Sequence, residues 1–361
     1  MFIYDVLAFF LVLGPIVLIH ELGHFIAALR LGVRVEEFGL GLPPRAATLF
    51  ERSGIKYTLN WLPLGGFVRP AGEDDPSVPD GLAAASKRVR FTVLFSGPVA
   101  NFLLAFALFW VAYLVTDVPV YDDSRVAIVS IDADLPAAAA GLLPGDVVLE
   151  VNGQPISDSD ELVAQVQASP EMPLTFVVER DGERQSITVL PAAITENDTV
   201  IGRIGAGLGP APTGEVISYG PLSAAGESVS QIGRIIMLTL RVPVMLLRGE
   251  VSIEEVGFIG PPNIARASRQ SAQMSLASGD WFPFLSFVAF INVALGFTNL
   301  LPIPALDGGR ILFVLLEALR GRRVSPEREA TVHMVAIMLL LGLMVFIFVH
   351  DLMNPIDLFA P

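Results

Sequence analysis

Three titratable side chains fall within five residues at the end of the first hydrophobic run, in Ile19-His20-Glu21-Leu22-Gly23-His24. On a helix, His20 and His24 are offset by about 40° around the axis and roughly 6 Å along it, so both imidazoles can reach one metal ion. Glu21 projects beside them and is a candidate general base toward a water on that ion. An ionisable group inside a membrane costs on the order of 2.5–3.5 kcal/mol even on the lenient insertion scale. Three of them together are therefore expected to be functional. A helix end that carries two histidines to the interface is the plainer alternative.

A fourth candidate lies far along the chain, in Leu301-Pro302-Ile303-Pro304-Ala305-Leu306-Asp307-Gly308-Gly309. Pro302 and Pro304 lack amide donors and forbid a continuous helix, so the backbone must unwind where Asp307 is presented. Unwound backbone at membrane depth persists only when buried in protein or lining a cavity. Asp307 is thus a functional candidate, with capping of the following helix (309–319) as the alternative. The chain has no cysteine and only four histidines, His20, His24, His333 and His350. Two imidazoles, one carboxylate and a water make an open, tetrahedral zinc site. Arg30 stands ten residues after His20, which excludes the three-histidine class of soluble zinc proteases. Glu36, Glu37 and Glu51 are possible glutamate ligands and rank below Asp307. His333 is expected at the interface and His350 beyond the end of the last span, both in structural or solvated roles.

Those residues need membrane helices to position them. Of 361 residues, 53% are hydrophobic and 17% charged, the composition of a membrane protein with room for one domain outside the bilayer. The net charge of −14 argues against nucleic-acid binding. The start, Met1 to Asp5, lacks the positive region of a cleavable signal peptide. Spans are expected at Val6–Leu29, Phe91–Val115, Trp281–Leu301 and Val332–Val349, about four in all. Gly14-Pro15 can kink the first, and Ser96-Gly97-Pro98-Val99-Ala100-Asn101 in the second suits close helix packing. Glu227–Arg248, broken by Arg234, Arg241 and Pro243, is expected to lie amphipathically at the interface rather than to form a fifth span.

Between the first two spans, Ile55–Trp61 alternates like a strand, and Pro63-Leu64-Gly65-Gly66-Phe67-Val68-Arg69 suggests a turn into a short strand. An apolar hairpin there leaves an edge able to add an extended peptide. Residues 117–212 are acidic and carry strand and turn signals. They include Val126–Ile131, Gly141–Gly153, a helix over Asp158–Gln167, and a hairpin at Asp181-Gly182. The expected organisation is a first membrane half (1–116), a soluble α/β module (117–212), an amphipathic connector (213–280) and a second membrane half (281–361). Nine bases lie between Arg30 and Arg90, and five more follow the third span. By the positive-inside rule both termini and the module face outward, and His20 and Asp307 arrive at the same, cytoplasmic side.

The Gly-Leu-x-x-Gly-Asp-x-x-x-x-Val-Asn-Gly run resembles the PDZ domains of bacterial envelope proteases. With His-Glu-x-x-His ending the first span and Asn299-x-x-Pro302-x-Pro304-x-Leu306-Asp307-Gly308 after the third, nearly the whole chain resembles the site-2 protease family, in its bacterial regulator-of-sigma-E type. The resemblance implies a multi-span inner-membrane metalloendopeptidase with a membrane-associated β-hairpin and one inserted PDZ-like domain on the periplasmic side. It implies one zinc ion on His20, His24 and Asp307, with Glu21 as base. It further implies that Asn299 contacts substrate and that Gly65-Gly66-Phe67 belongs to a strand pairing with it. The implied substrate is a single-span membrane protein already trimmed on its outer side, such as an anti-sigma factor, or a remnant signal peptide. The best-known members carry two PDZ domains, and this chain has room for one. An intramembrane metal transporter would use similar ligands without needing Glu21, the edge strand or the module. A non-catalytic scaffold would need only the module.

Overall fold

Apolar runs of 19 residues or more, closed by polar caps or glycines, produce the long helices of the computed structural model, which describes residues 2–132, 134–196, 199–249, 251 and 260–354. The chain divides into two compact units, Met1–Thr116 with Tyr219–Leu358, and Asp117–Ser218. Charge divides with them. The second unit holds 17 Asp and Glu against four Lys and Arg, so nearly all of the net −14 resides there.

In the first unit, helix α1 (Phe2–Arg30) runs unbroken through Gly14-Pro15, with Arg30 complementing the carbonyl end of the helix dipole. Helix α2 (Lys87–Val115) starts at Ser86, whose hydroxyl accepts the Val89 N–H. Glycine makes both main crossings of α2 possible. A Cβ on Gly23 of α1 would sit 2.9 Å from the Ala100 Cβ, and one on Gly296 would sit 3.2 Å from the Pro98 carbonyl oxygen. Gly296 belongs to α7 (Phe282–Leu300), which follows α5 (Pro221–Arg248) and α6 (Pro261–Ser278). The unit ends with α8 (Asp307–Arg320) and α9 (Pro326–Met353). Among the described residues, five helices are long and apolar enough to cross a membrane: the four expected spans and Pro221–Arg248. In α5, Arg234 is offset on the helix itself by Glu227 and Gln231, while Leu222 and Leu247 are exposed. Helix α6 buries a polar, small-residue face of Asn263, Ser268, Ser271 and Ser275.

Residues 31–86 differ most from expectation. β1 (Val35–Arg52) and β2 (Ile55–Pro70) each double back on themselves, β1 near Gly41 (φ 78°) and β2 between 60 and 66, where Gly65 (φ 60°) lies in the turn expected over Pro63–Gly66. Each pairs with the other twice: Tyr57 faces both Phe38 and Phe50, and Phe38 also faces Val68. The result is four segments in the order 66–70, 35–40, 55–60, 45–52, in which the central pair runs parallel (Glu37 opposite Lys56, Leu40 opposite Leu59) and the two outer pairs antiparallel. Glu37 ties all of them. Its carboxylate accepts from Thr58 Oγ1 at 2.8 Å, from Arg45 at 2.6 and 3.1 Å, and from Arg69 at 3.2 Å. Leu49, Phe50, Leu59, Trp61 and Leu62 stay exposed, as on a sheet that meets lipid.

The second unit is an antiparallel sheet of β3 (Val118–Ile131), β4 (Val147–Val151), β5 (Gln154–Pro155), β6 (Leu174–Arg180), β7 (Glu183–Val189) and β10 (Ala206–Ile217), with a separate hairpin of β8 (Ala192–Glu196) and β9 (Thr199–Arg203). The sheet path is β10-β3-β4-β6-β7, with β5 on β4. Helices α3 (Pro136–Ala140) and α4 (Ser159–Gln167) complete it, and Asp158 caps α4 through the Asp160 N–H. Asp181 and Gly182, both at positive φ, turn β6 into β7. The core is Val126, Ile128, Leu142, Val148, Leu162, Phe176 and Val178. Asp146, 1% exposed, is held by two 2.7 Å bonds from Arg180, and this partnership raises the arginine pKa.

Burial alone would raise the Glu37 pKa, but hydrogen bonds from Thr58 and Arg45 and the charges of Arg45 and Arg69 hold it below the usual glutamate value. A depressed folded-state pKa contributes stability that is present above the unfolded value and is lost as pH falls through the folded one. Replacing Glu37 with Leu should remove that pH dependence and leave the buried Thr58 hydroxyl unpaired. The expected loss is about 2 kcal/mol in the sheet, measured as faster amide exchange over residues 35–40 in the detergent-solubilised chain.

Candidate metal centre

The second half of α1 places His20, Glu21 and His24 against α2, and the start of α8 brings Asp307 to them from the other half of the chain. His20 Nε2 lies 3.1 Å from His24 Nε2, and Asp307 Oδ2 lies 3.1 and 3.3 Å from the two nitrogens. Both histidines are buried and Asp307 is nearly so. Three acceptor atoms at such separations in a dry site repel one another unless a cation lies among them. The edges of a tetrahedral zinc site with ~2.0–2.1 Å bonds are about 3.3 Å long. The donor set therefore fits zinc. Among the described residues, these three form the metal-capable cluster, with all candidate ligand atoms within 4.8 Å of one another.

Each of the three has local support. His24 Nδ1 donates to the Val93 carbonyl at 2.7 Å, which leaves the Nε2 lone pair turned into the cluster. His20 Nδ1 is 3.2 Å from the side-chain amide of Asn101, a fully buried residue on α2. Gly97 makes the room: a Cβ there would overlap His24 Nε2 and stand 2.9 Å from His20 Cε1. Asp307 opens α8, and Gly308 and Gly309 let that helix start against the backbone of Leu300–Pro304, where any Cβ would collide with carbonyls. Arg310 Nη1 bonds Glu73 at 2.6 Å, and Arg90 pairs with Glu317, fixing α8 to the loop after β2 and to α2.

Glu21 lies beside the cluster and accepts the Val68 N–H at 3.1 Å. Val68 belongs to the outer segment of the four-stranded sheet, and its N–H points away from its partner Phe38. Gly65 and Gly66 let that edge approach α1: a Cβ on Gly65 would strike Val17, and one on Gly66 would lie 3.1 Å from Leu18. Phe67 lies in the same edge, with the Arg69 guanidinium 5.5 Å from its ring centre. Asn299, in the last turn of α7, donates to the Leu295 carbonyl at 3.0 Å. Glu37 is committed to the sheet and to Arg45 and Arg69, away from the cluster. Gly97 and Asn101 were expected only to pack helices. His333, expected in a structural or solvated role, has a structural one: it accepts the Ala305 N–H at 2.7 Å.

Similar proteins are known over nearly the whole chain. The model of peptidase family M50 matches residues 8–343. The zinc metalloprotease RasP of Oceanobacillus iheyensis is 30% identical, covering 96% of this chain and 98% of its own. The metalloprotease MmpA of Caulobacter vibrioides is 30% identical, covering 96% and 95%. The regulator of sigma-W protease RasP of Bacillus subtilis is 28% identical, covering 98% and 99%. Among solved structures, the PDZ domain of an SdrC-like protein from Listeria monocytogenes matches 25% of this chain and 93% of its own at 23% identity, with a TM-score of 0.21. The chain belongs to peptidase family M50, the site-2 protease family, and is a membrane zinc metalloendopeptidase.

Proposed function

We propose that this protease hydrolyses a peptide bond inside the membrane-spanning segment of a single-span substrate. His20, His24 and Asp307 hold one zinc ion and Glu21 is the general base. The observation that carries the reading is the meeting of three buried acceptors at 3.1–3.3 Å with Glu21 at their side. Zinc, when bound, supplies Lewis acidity toward a water and a peptide carbonyl oxygen. Glu21 takes the proton of the attacking water and returns it to the leaving amine. The Val68 N–H holds one of its carboxylate oxygens in place for both transfers.

Asn101 orients His20. Its amide oxygen is buried without a partner, while its nitrogen is the atom placed at His20 Nδ1. Oxygen and nitrogen of an amide exchange on a half-turn of the side chain. After that turn, the oxygen accepts His20 Nδ1–H and leaves Nε2 free to ligate, as for His24.

A peptide bond must leave its helix before water can attack it. The edge segment at Gly65, Gly66 and Phe67 offers unpaired backbone groups to such an unwound strand, and strand addition replaces the hydrogen bonds lost on unwinding. Asn299 contributes a further contact to it. The sigma-W regulator named among the relatives supports an anti-sigma-factor-like substrate, which we place after a first cut on the outer side. Remnant signal peptides are a second substrate class. The setting is the bacterial inner membrane, with both termini and the inserted module periplasmic and the metal centre toward the cytoplasm. Lipid surrounds the helices, and nucleic acid has no part.

Cleavage of a single-span reporter in membranes, with bound zinc measured on each variant, tests these roles. Glu21→Gln should keep zinc and lose activity by about 10²-fold or more, whereas Asp307→Ala should lose both. Full cleavage by Glu21→Gln would remove Glu21 from the mechanism. Metal passage across the membrane with no cleavage by the wild type would favour a transporter. Gly97→Ala separates site from scaffold. Alanine favours a helix over glycine by roughly 0.5–1 kcal/mol, so the helix should hold, yet the new methyl displaces both imidazoles. Zinc affinity should fall on the order of 10–100-fold, as read by chelator competition.

A further inference from the structure

Ala305 is a non-glycine residue at φ 82°, two positions before Asp307. A side chain in that left-handed region is sterically disfavoured and persists only where its surroundings hold it. The loop around it supplies part of the hold. Ile303 N–H donates to the Leu301 carbonyl at 2.7 Å, and Leu306 N–H donates to the Ile303 carbonyl at 3.2 Å. Pro302 and Pro304 have no N–H to give. The Ala305 N–H leaves the loop altogether and donates to Nδ1 of His333, on the second turn of α9, at 2.7 Å. The His333 ring is 9% exposed and packs against Phe313 of α8, with ring centres 5.5 Å apart. One imidazole therefore joins the last long helix, the unwound loop and the helix that begins with Asp307.

We propose that His333 is a positioning residue for Asp307. By accepting the Ala305 N–H it fixes the residue at which the loop reverses, and so fixes the point from which α8 starts and the carboxylate is presented. The bond needs an unprotonated Nδ1, so the ring is in its Nε2–H tautomer. Without the acceptor, a partly buried N–H is orphaned and the left-handed residue is released. Asp307 Oδ2 then has no reason to stay at 3.1 and 3.3 Å from the two imidazoles. This rests on the zinc reading of the cluster.

The test is zinc affinity of the full-length protein in detergent, by competition with a chromophoric chelator, for wild type, His333→Leu and His333→Asn. Leucine keeps the volume and removes the acceptor. The asparagine Oδ1 falls where Nδ1 was and accepts the same N–H. Leucine should weaken zinc on the order of 10-fold or more, and asparagine should recover most of that loss. Thermal unfolding of each variant reports that it is folded. Wild-type affinity in His333→Leu overturns the proposal. Equal weakening in both folded variants overturns it too, because ring packing against Phe313 would then be what matters. If the wild type itself holds no zinc, the metal-centre reading falls and the proposal falls with it.

Discussion

Three lone-pair-bearing atoms gathered within 3.3 Å in a water-poor interior hold together only around positive charge. Much else in the membrane unit follows from that constraint. Two donors come from the first helix and one from a helix that begins almost 290 residues later, so the first unit is built from chain segments on both sides of the inserted module. Helix α2 stands between them and supplies the Val93 carbonyl, the Asn101 amide and the empty volume over Gly97. A glycine inside a helix is a local cost, and here it is the condition for two imidazoles to turn inward.

The sheet serves the same centre from the other side. A free β-edge invites unwanted pairing unless it is covered or charged, and this one runs beside α1 with an outward N–H on Glu21. Its position depends on Glu37, which reaches a side chain in each of the three other segments. Rigid pairing inside the sheet and two glycines facing α1 let a backbone edge lie where a side chain would otherwise intrude.

What could be read in the sequence was mostly local. His20 and His24 share a helix face by spacing alone, Asp181-Gly182 dictates its hairpin, and Pro302 with Pro304 dictates an unwound stretch before Asp307. The sheet was harder because its order depends on pairings between distant residues. Val35–Arg52 also lacks a clean alternation, with Gly39, Gly41, Pro43 and Pro44 interrupting it. Gly97 and Asn101 looked like packing residues because the space and the bond they provide belong to another helix. A structural role for His333 was open from the sequence, but its partner was not, because that partner is a backbone N–H 28 positions away and no side-chain pattern marks such an acceptor. Helix α6 was hidden in a connector because the face it buries is serine and asparagine rather than leucine.

The uneven distribution of charge has a colloidal consequence. The membrane unit is close to neutral, while 17 acidic residues against four basic ones are concentrated in the Asp117–Ser218 unit. Copies of that unit repel one another and are repelled by anionic headgroups, over a distance set by ionic strength: about 8 Å at 0.15 M and about 30 Å at 0.01 M. Dilution of the surrounding medium therefore spaces neighbouring molecules apart and draws cationic segments toward the acidic unit, without any change in the fold of either unit.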